Sequence, residues 1–177
     1  MKVLVAYASK HGATQGIAER IAKTLVAEGY ETDVLSLPGT TGLHGYDACV
    51  VGSAVYMGHW RTEAMTFVRG RRASLAHRPV WLFSCGPLGT ATTDAKGRDV
   101  RSAAMPKEAQ ELDEVLHPRD HHVFFGALDP LRLGTGERAL RKLPAGRALM
   151  PEGDFRDWAE IDWWAKEIAQ QLAEGAL

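Results

Sequence analysis

The chain has 177 residues, 45% of them hydrophobic and 24% charged, which is enough for one domain with a substantial core and is the composition of a soluble globular protein. A formal net charge of −1 excludes nucleic acid as the main partner, because neutralising phosphates needs a basic excess. Two cysteines, Cys49 and Cys85, make no disulfide framework; no apolar stretch reaches the roughly 18 residues of a membrane span, no signal-peptide pattern opens the chain, and the expected location is the cytoplasm.

Residues 3–8 (V-L-V-A-Y-A) are a continuous apolar run, the mark of a strand covered on both faces. Ile17, Ile21 and Leu25 then recur at four-residue spacing beside Ala18 and Ala22, which predicts an amphipathic helix that Gly29 ends. Residues 31–37 alternate weakly, Thr32, Val34 and Ser36 against Asp33, Leu35 and Leu37, as an outer strand does, and Pro38-Gly39 breaks the pattern. Residues 48–55 are the second strong apolar run, and residues 63–72 carry Ala64, Phe67 and Val68 at helical spacing. The next strand is predicted over 79–85 and the next helix over 107–116, with Leu112, Val115 and Leu116 inward. Residues 122–128 read as a fifth strand, and residues 158–172 as a helix with Ile161, Trp164, Ile168 and Leu172 on one face.

Strand and helix thus alternate five times, which predicts a single α/β domain over residues 1–177 with a five-stranded parallel, doubly wound sheet and helices on both faces. No internal repeat, low-complexity tract or linker divides it. Two connections are longer than such units need: 86–106, without clear periodicity, and 130–155, with one short helix expected around 136–143. Both follow the carboxyl end of a strand or lie close after one, the edge at which open α/β sheets bind ligands.

Three loops on that edge carry the functional reading. S-K-H-G-A-T, residues 9–14, offers hydroxyls at Ser9 and Thr14, a close backbone approach at Gly12 and a helix N-terminus whose free N–H groups favour a phosphate. The alternative is an ordinary helix start capped by Ser9 or Thr14. S-A-V-Y-M-G-H-W, residues 53–60, places aromatic residues around Gly58, as stacking on a flat ring requires, or else packs Tyr56 and Trp60 onto neighbouring helices. S-C-G-P-L-G, residues 84–89, is a turn able to pass closely over a ligand. Cys85 has no evident basic neighbour to activate it as a nucleophile. Phosphate grip, aromatic wall and glycine-rich turn on one edge describe a mononucleotide carrying a large planar ring. Elsewhere, five arginines (Arg61, Arg69, Arg71, Arg72, Arg78) face Glu63 alone between residues 57 and 78. They form either a solvated helix face or a docking face for an acidic partner or an anionic membrane.

Together these segments resemble the flavodoxin family, whose phosphate loop S-K-H-G-A-T matches at Ser9, Gly12 and Thr14, with His11 where the family carries another hydroxyl or Asn. Within the superfamily the chain is most similar to the menaquinone-dependent protoporphyrinogen dehydrogenases. The segments that carry the likeness are V-L-V-A-Y-A-S-K-H-G-A-T, V-V-G-S-A-V-Y-M-G-H-W, V-F-F-G-A-L and D-W-A-E-I-D-W-W-A. The resemblance implies a flavodoxin-like three-layer sandwich of strand order 2-1-3-4-5, with FMN at the switch point between the first and third strands. It implies Ser9, Lys10, His11, Gly12, Ala13 and Thr14 around the FMN phosphate. Around the ring it implies Ser53, Ala54, Val55, Tyr56, Met57, Gly58 and His59, with Ser84, Cys85, Gly86, Pro87, Leu88 and Gly89 on the other side and Gly58 near the flavin N5. Residues 86–106, with Lys96, Arg98 and Arg101 against Asp94 and Asp99, lack the strongly basic character of that stretch in the dehydrogenases.

The expected function is an FMN-dependent oxidoreductase acting on a small molecule or quinone, with possible peripheral contact at the inner face of the membrane, His59 as the candidate acid or base and no metal. The alternative is an electron carrier serving a redox partner protein; carriers present an acidic face near the flavin, whereas basic residues follow the second loop here. A domain that binds no flavin stays open through His11. A signalling receiver is excluded, because Ala6-Tyr7-Ala8 and Gly52-Ser53-Ala54 stand where its acidic residues belong.

Overall fold

A computed structural model describes residues 1–39 and 42–175. Strand β1 (Lys2–Ala8) sends alternate side chains to opposite faces of a sheet: Val3, Val5 and Tyr7 enter one core, Leu4, Ala6 and Ala8 the other. Helix α1 (Ala13–Ala27) follows and buries Ile17, Ile21 and Leu25. It ends as its glycine predicts: Gly29, at φ +92°, donates to Val26 O and Tyr30 N–H donates to Leu25 O, each at 3.0 Å, closing the last turn. Strand β2 (Glu31–Ser36) is the half-exposed edge, and β3 (Ala48–Tyr56) the buried centre.

The second loop of the sequence reading is a hairpin rather than an open loop. Residues 53–56 complete β3, Met57 and Gly58 form the turn, and β4 (His59–Trp60) pairs back antiparallel through Val55–Trp60 and Tyr56–His59. Both turn residues have positive φ, +52° and +79°, the twist that a two-residue hairpin turn requires. Helix α2 (Thr62–Leu75) and strand β5 (Val80–Cys85) come next, then the short α3 (Val100–Ala103), α4 (Ala109–Leu116) and β6 (Asp120–Phe124). The parallel order is β2-β1-β3-β5-β6, which in sequence order of the parallel strands is 2-1-3-4-5.

The expected fifth strand over 122–128 is divided. β6 stops at Phe124 because its partner β5 ends at Cys85. The chain then bends at Gly126, whose N–H donates to Pro87 O at 2.9 Å, and β7 (Ala127–Leu128) pairs with β8 (Gly153–Asp154) in a separate two-stranded ribbon. Between these two strands lie a 3-10 turn (Pro130–Arg132) and two helices, α5 (Thr135–Arg141) and α6 (Pro144–Leu149), where one helix is expected from the sequence. Pro144 separates them, since proline opens a helix readily and cannot continue one. Helix α7 (Trp158–Glu174), capped by Asp157, closes the chain.

The sheet is therefore the middle of three layers. α1 and α7 cover one face through Ile17, Ile21, Ile161, Trp164 and Ile168, and α2 and α4 cover the other through Phe67, Val68, Leu75, Leu112 and Leu116. Trp164 meets Phe83 and Phe124 edge-on at 6.3 and 5.5 Å between centroids, contacts worth about 0.5–1.5 kcal/mol each beyond their burial. Among the described residues no helix is long and apolar enough to cross a membrane.

Gly52 in β3 leaves the space that Phe83 fills: a Cβ there would stand 2.0 Å from the Phe83 ring. Gly52→Ala is expected to lower unfolding stability by about 2–3 kcal/mol through overpacking, and Phe83→Leu in the same chain to recover part of the loss. Urea denaturation of the single and double variants measures this; strictly additive losses would refute the steric account.

Candidate functional site

The chain leaves β1 at Ala8 and reaches α1 at Ala13 through Ser9–Gly12. Ser9 Oγ accepts from the Gly12 N–H at 3.0 Å, which folds the loop on itself one residue ahead of the helix. No side chain caps α1, so the capped-start alternative does not describe this end. Its first intrahelical bond runs from Gly16 N–H to Gly12 O at 3.1 Å, and the N–H groups of Ala13, Thr14 and Gln15 precede that ladder. Gly12, at φ +90°, makes the turn, and a Cβ on it would lie 2.2 Å from Arg132 Nη1. Thr14 is fully buried, and its Oγ1 has no hydrogen-bond partner among the described residues; the neighbouring Cys85 thiol is at most a weak one. Uncapped amides, a helix dipole and a buried hydroxyl together form a cradle suited to an anionic oxygen.

Beside this loop lies a cavity of about 580 Å³, sized for a cofactor-like ligand. Ser9, Lys10, His11, Ala13 and Thr14 line one side; Ala54, Val55, Tyr56, Met57, Cys85, Gly86 and Leu88 line the other. The three loops singled out in the sequence therefore do converge. Tyr56 is the aromatic wall, with Lys10 Nζ 5.2 Å from its ring centroid and the His11 ring edge-on at 6.2 Å. Burial, aided by the Glu137 carboxylate, pushes the Tyr56 hydroxyl up to about 12, and burial pushes the Cys85 thiol up to about 11. Tyr56 is a neutral surface and Cys85 a protonated one at physiological pH.

Other expected residues stand outside the cavity lining. Gly12 faces an adjoining polar pocket with Arg132 and Arg156. Ser53 Oγ accepts from Arg61 N–H at 2.9 Å and donates to Ala54 O, and Ser84 Oγ accepts from Trp60 Nε1 at 2.8 Å and meets His121 Nε2 at 2.9 Å. Both hydroxyls hold the protein together. Trp60 is buried, so it belongs to the core and not to the wall. Gly58, Pro87 and Gly89 shape their turns without lining the cavity. His59 points from β4 to α4: its Nδ1 lies 2.7 Å from Glu108 Oε1 and its Nε2 3.2 Å from Lys107 Nζ. An ammonium only donates, so Nε2 accepts and Nδ1–H donates to Glu108. Glu108 also takes the Trp60 N–H, and Lys107 N–H donates to Gly58 O at 2.8 Å, pinning the hairpin tip.

The sequence places the long connection 130–155 at the ligand-binding edge but marks none of its residues as part of the site. Gly126, Ala127, Leu128, Leu133, Leu140, Leu149 and Met150 roof the cavity. Glu137 of α5 bonds Lys10 and His11 and accepts from Gly134 N–H at 3.0 Å. Burial pushes its carboxyl up, but the bonds from Lys10, Gly134 and His11 outweigh this and hold it at about 2. Arg132 donates to His11 O at 3.4 Å and Arg156 to Ala13 O at 3.3 Å. The one local signal was G-x-x-E at 134–137, a helix-start pattern without a functional stamp. The arginines after Trp60 were the louder signal and are mostly engaged internally: Arg69 with Glu111, Arg61 with Glu63, Arg71 over the Phe67 ring and Arg78 on Tyr46 O.

A flavodoxin domain family model matches residues 4–145. The chain is 24% identical over 178 residues to a protoporphyrinogen IX dehydrogenase (quinone) of Escherichia coli strain K12, covering 96% of this chain and 95% of that one. Among solved structures it is similar to a flavodoxin from the domain Archaea (TM-score 0.58, 16% identity, covering 98% of this chain and 99% of the other). A flavodoxin of Streptococcus pneumoniae TIGR4 is equally similar (TM-score 0.57, 16% identity, covering 99% of each).

The Trp60–Ser84–His121 contact behind the cavity has a pH signature. Burial lowers the His121 pKa to about 4, with Asp120 opposing and His122 adding to the shift. The unfolded chain takes up this proton below about 6.5 and the folded chain only near 4, so stability falls as pH drops through that interval and levels off below it. The loss attributable to His121 is roughly 3 kcal/mol. In urea unfolding between pH 7.5 and 4, His121→Gln should flatten the curve by about that amount; parallel curves for both proteins would refute it.

Proposed function

Because this chain belongs to the flavodoxin domain family, and FMN is accordingly its cofactor, we propose that it is an FMN-dependent oxidoreductase of the protoporphyrinogen dehydrogenase kind, with a quinone or other flat apolar molecule as acceptor. The orphaned Thr14 hydroxyl at the uncapped start of α1 carries this reading, since a phosphate oxygen is the partner it lacks. When bound, FMN supplies the redox chemistry. The chain supplies everything else. The amides of α1 and the hydroxyl of Thr14 would hold the phosphate, while the carbonyls of His11 and Ala13 accept from Arg132 and Arg156. Tyr56, Met57, Gly86 and Leu88 would be the walls for the ring.

The apolar roof of Leu133, Leu140, Leu149 and Met150 favours an apolar second substrate. His59 is the candidate acid or base of this proposal, held at the hairpin edge with its Nδ1–H on Glu108 and its Nε2 beside Lys107. An electron-carrier role, with a partner protein in place of a substrate, is the second reading. The flavodoxin-like fold itself favours it, and the cations around the roof speak against the acidic face that carriers present.

Purified protein should show a flavin visible spectrum or acquire one on adding FMN; a colourless preparation that takes up none would overturn both readings. Thr14→Ala should weaken FMN binding about tenfold for one lost charge-assisted hydrogen bond, and Gly12→Val should abolish it, with circular dichroism unchanged. Unchanged affinity in both would mean the phosphate lies elsewhere. Turnover with protoporphyrinogen and a menaquinone analogue supports the enzyme; reduction only through a partner reductase supports the carrier.

A further inference from the structure

The two basic residues inside the loop ahead of α1 are both paired with one carboxylate. Lys10 and His11 meet Glu137, and Lys10 Nζ also stands over the Tyr56 ring. A phosphate monoester, carrying nearly two negative charges at neutral pH, would therefore find the loop's own cations already compensated.

Another cation reaches the same loop from 121 positions along the chain. Arg132 closes the 3-10 turn after β7, where its N–H donates to Asp129 O at 3.0 Å and Asp129 Oδ1 accepts from Leu131 N–H at 2.9 Å. α5 anchors that turn, since Arg138 donates to Leu131 O. From there the Arg132 guanidinium lies across Gly12. Its Nη1 donates to His11 O at 3.4 Å, and a Cβ on Gly12 would stand 2.2 Å from the same nitrogen. Gly12 thus serves twice: its φ of +90° makes the turn, and its missing side chain leaves room for a cation against the backbone.

The charge of Arg132 is also the less compensated of the two guanidiniums at this loop. Its one ion pair among the described residues is to Asp129, at 3.9 Å, between side chains that are both more than half exposed. Arg156, which donates to Ala13 O, is bound to Asp154 through Nε and Nη2 at 2.7 and 2.6 Å. Both arginines border the polar pocket of about 580 Å³ outside the loop, together with Glu19, Asp129, Glu152 and Asp154. Four acids against two arginines make that pocket unsuited to an anion of its own. At the loop the order is reversed, because Coulomb attraction falls with distance and the guanidinium is the group in contact with Gly12.

We propose that Arg132 supplies counter-charge to the flavin phosphate from outside the phosphate loop, and so sets the preference of this chain for FMN over unphosphorylated riboflavin. The inference rests on the reading of the loop ahead of α1 as the seat of the FMN phosphate. Arg132 also steadies the His11–Gly12 peptide, whose N–H is held on Ser9 Oγ.

The test is titration of the full-length protein, freed of flavin, with FMN and with riboflavin, read by flavin fluorescence over a range of salt. FMN should bind more tightly than riboflavin, and the ratio should shrink as salt rises. Arg132→Gln should lower FMN affinity roughly fivefold at low salt. Riboflavin affinity should be unchanged in that variant, since Arg132 does not line the ring cavity. Arg132→Lys should keep most of the preference. Asp129→Asn removes the nearest carboxylate and keeps an acceptor for Leu131 N–H, so it should raise FMN affinity about twofold. Damage to the turn would instead lower affinity in both variants. An unchanged FMN-to-riboflavin ratio in Arg132→Gln, or a loss of FMN affinity in Asp129→Asn, would overturn the proposal and leave the phosphate loop standing. Equal binding of the two flavins by the unaltered protein would overturn the phosphate reading along with it.

Discussion

The site depends on a helix that begins without a cap. α1 leaves β1 through a four-residue loop whose only hydroxyl bond, Ser9 to Gly12 N–H, is made before the helix starts. The first amides of α1 have no side-chain cap, and among the described residues the buried Thr14 hydroxyl has no partner beyond the weak Cys85 thiol. A buried polar group without a partner is costly, and the sheet-edge position of this loop makes a ligand the natural partner. The surrounding residues are arranged on this end of the helix. Arg132 and Arg156 take the carbonyls of His11 and Ala13, and Glu137 takes Lys10 and His11.

Glu137 is therefore the tie between the two halves of the site. One half is the sheet edge with its hairpin, and the other is the excursion between β7 and β8. Its carboxylate stays ionised far into the acid range, since the bonds it receives favour the charged form. The hairpin is held in a comparable way on its far side, where Glu108 takes both His59 and the Trp60 N–H. Each wall of the cavity is fixed by a carboxylate that reaches from another part of the chain. Rigid walls of this kind position a planar cofactor at little further entropic cost on binding.

The elements that proved legible were those with strong periodicity. β1, β3 and β5 are buried on both faces and read as unbroken apolar runs, while α1 and α7 repeat an apolar residue each turn. The phosphate loop was legible because strand, glycine and hydroxyls lie within eight consecutive positions, and its resemblance to the flavodoxin family rests on that compactness. Of the excursion from 126 to 156, only its place at the ligand edge and the helix around 136–143 were legible. Its helices are one or two turns long, and Leu131, Leu140 and Leu149 carry no regular spacing. Ser84 looked like a ligand residue because a hydroxyl near a glycine looks the same whether it faces a cofactor or another side chain.

What the sequence determined by itself is the order of strands and helices, the two-sided burial of the sheet, the hydroxyl- and glycine-bearing loop ahead of α1 and the kinship that follows from these. All are consequences of which residues are neighbours along the chain, because local periodicity decides which face is apolar. Only the tertiary structure decided that β6 stops at Phe124, that Trp60, Ser84 and His121 form one buried contact, and that Glu137, Arg132 and Arg156 close on a loop more than a hundred positions away. Such contacts form where the excursion packs back over the sheet edge, and a carboxylate or guanidinium carries no mark in the sequence of the distant partner it will meet.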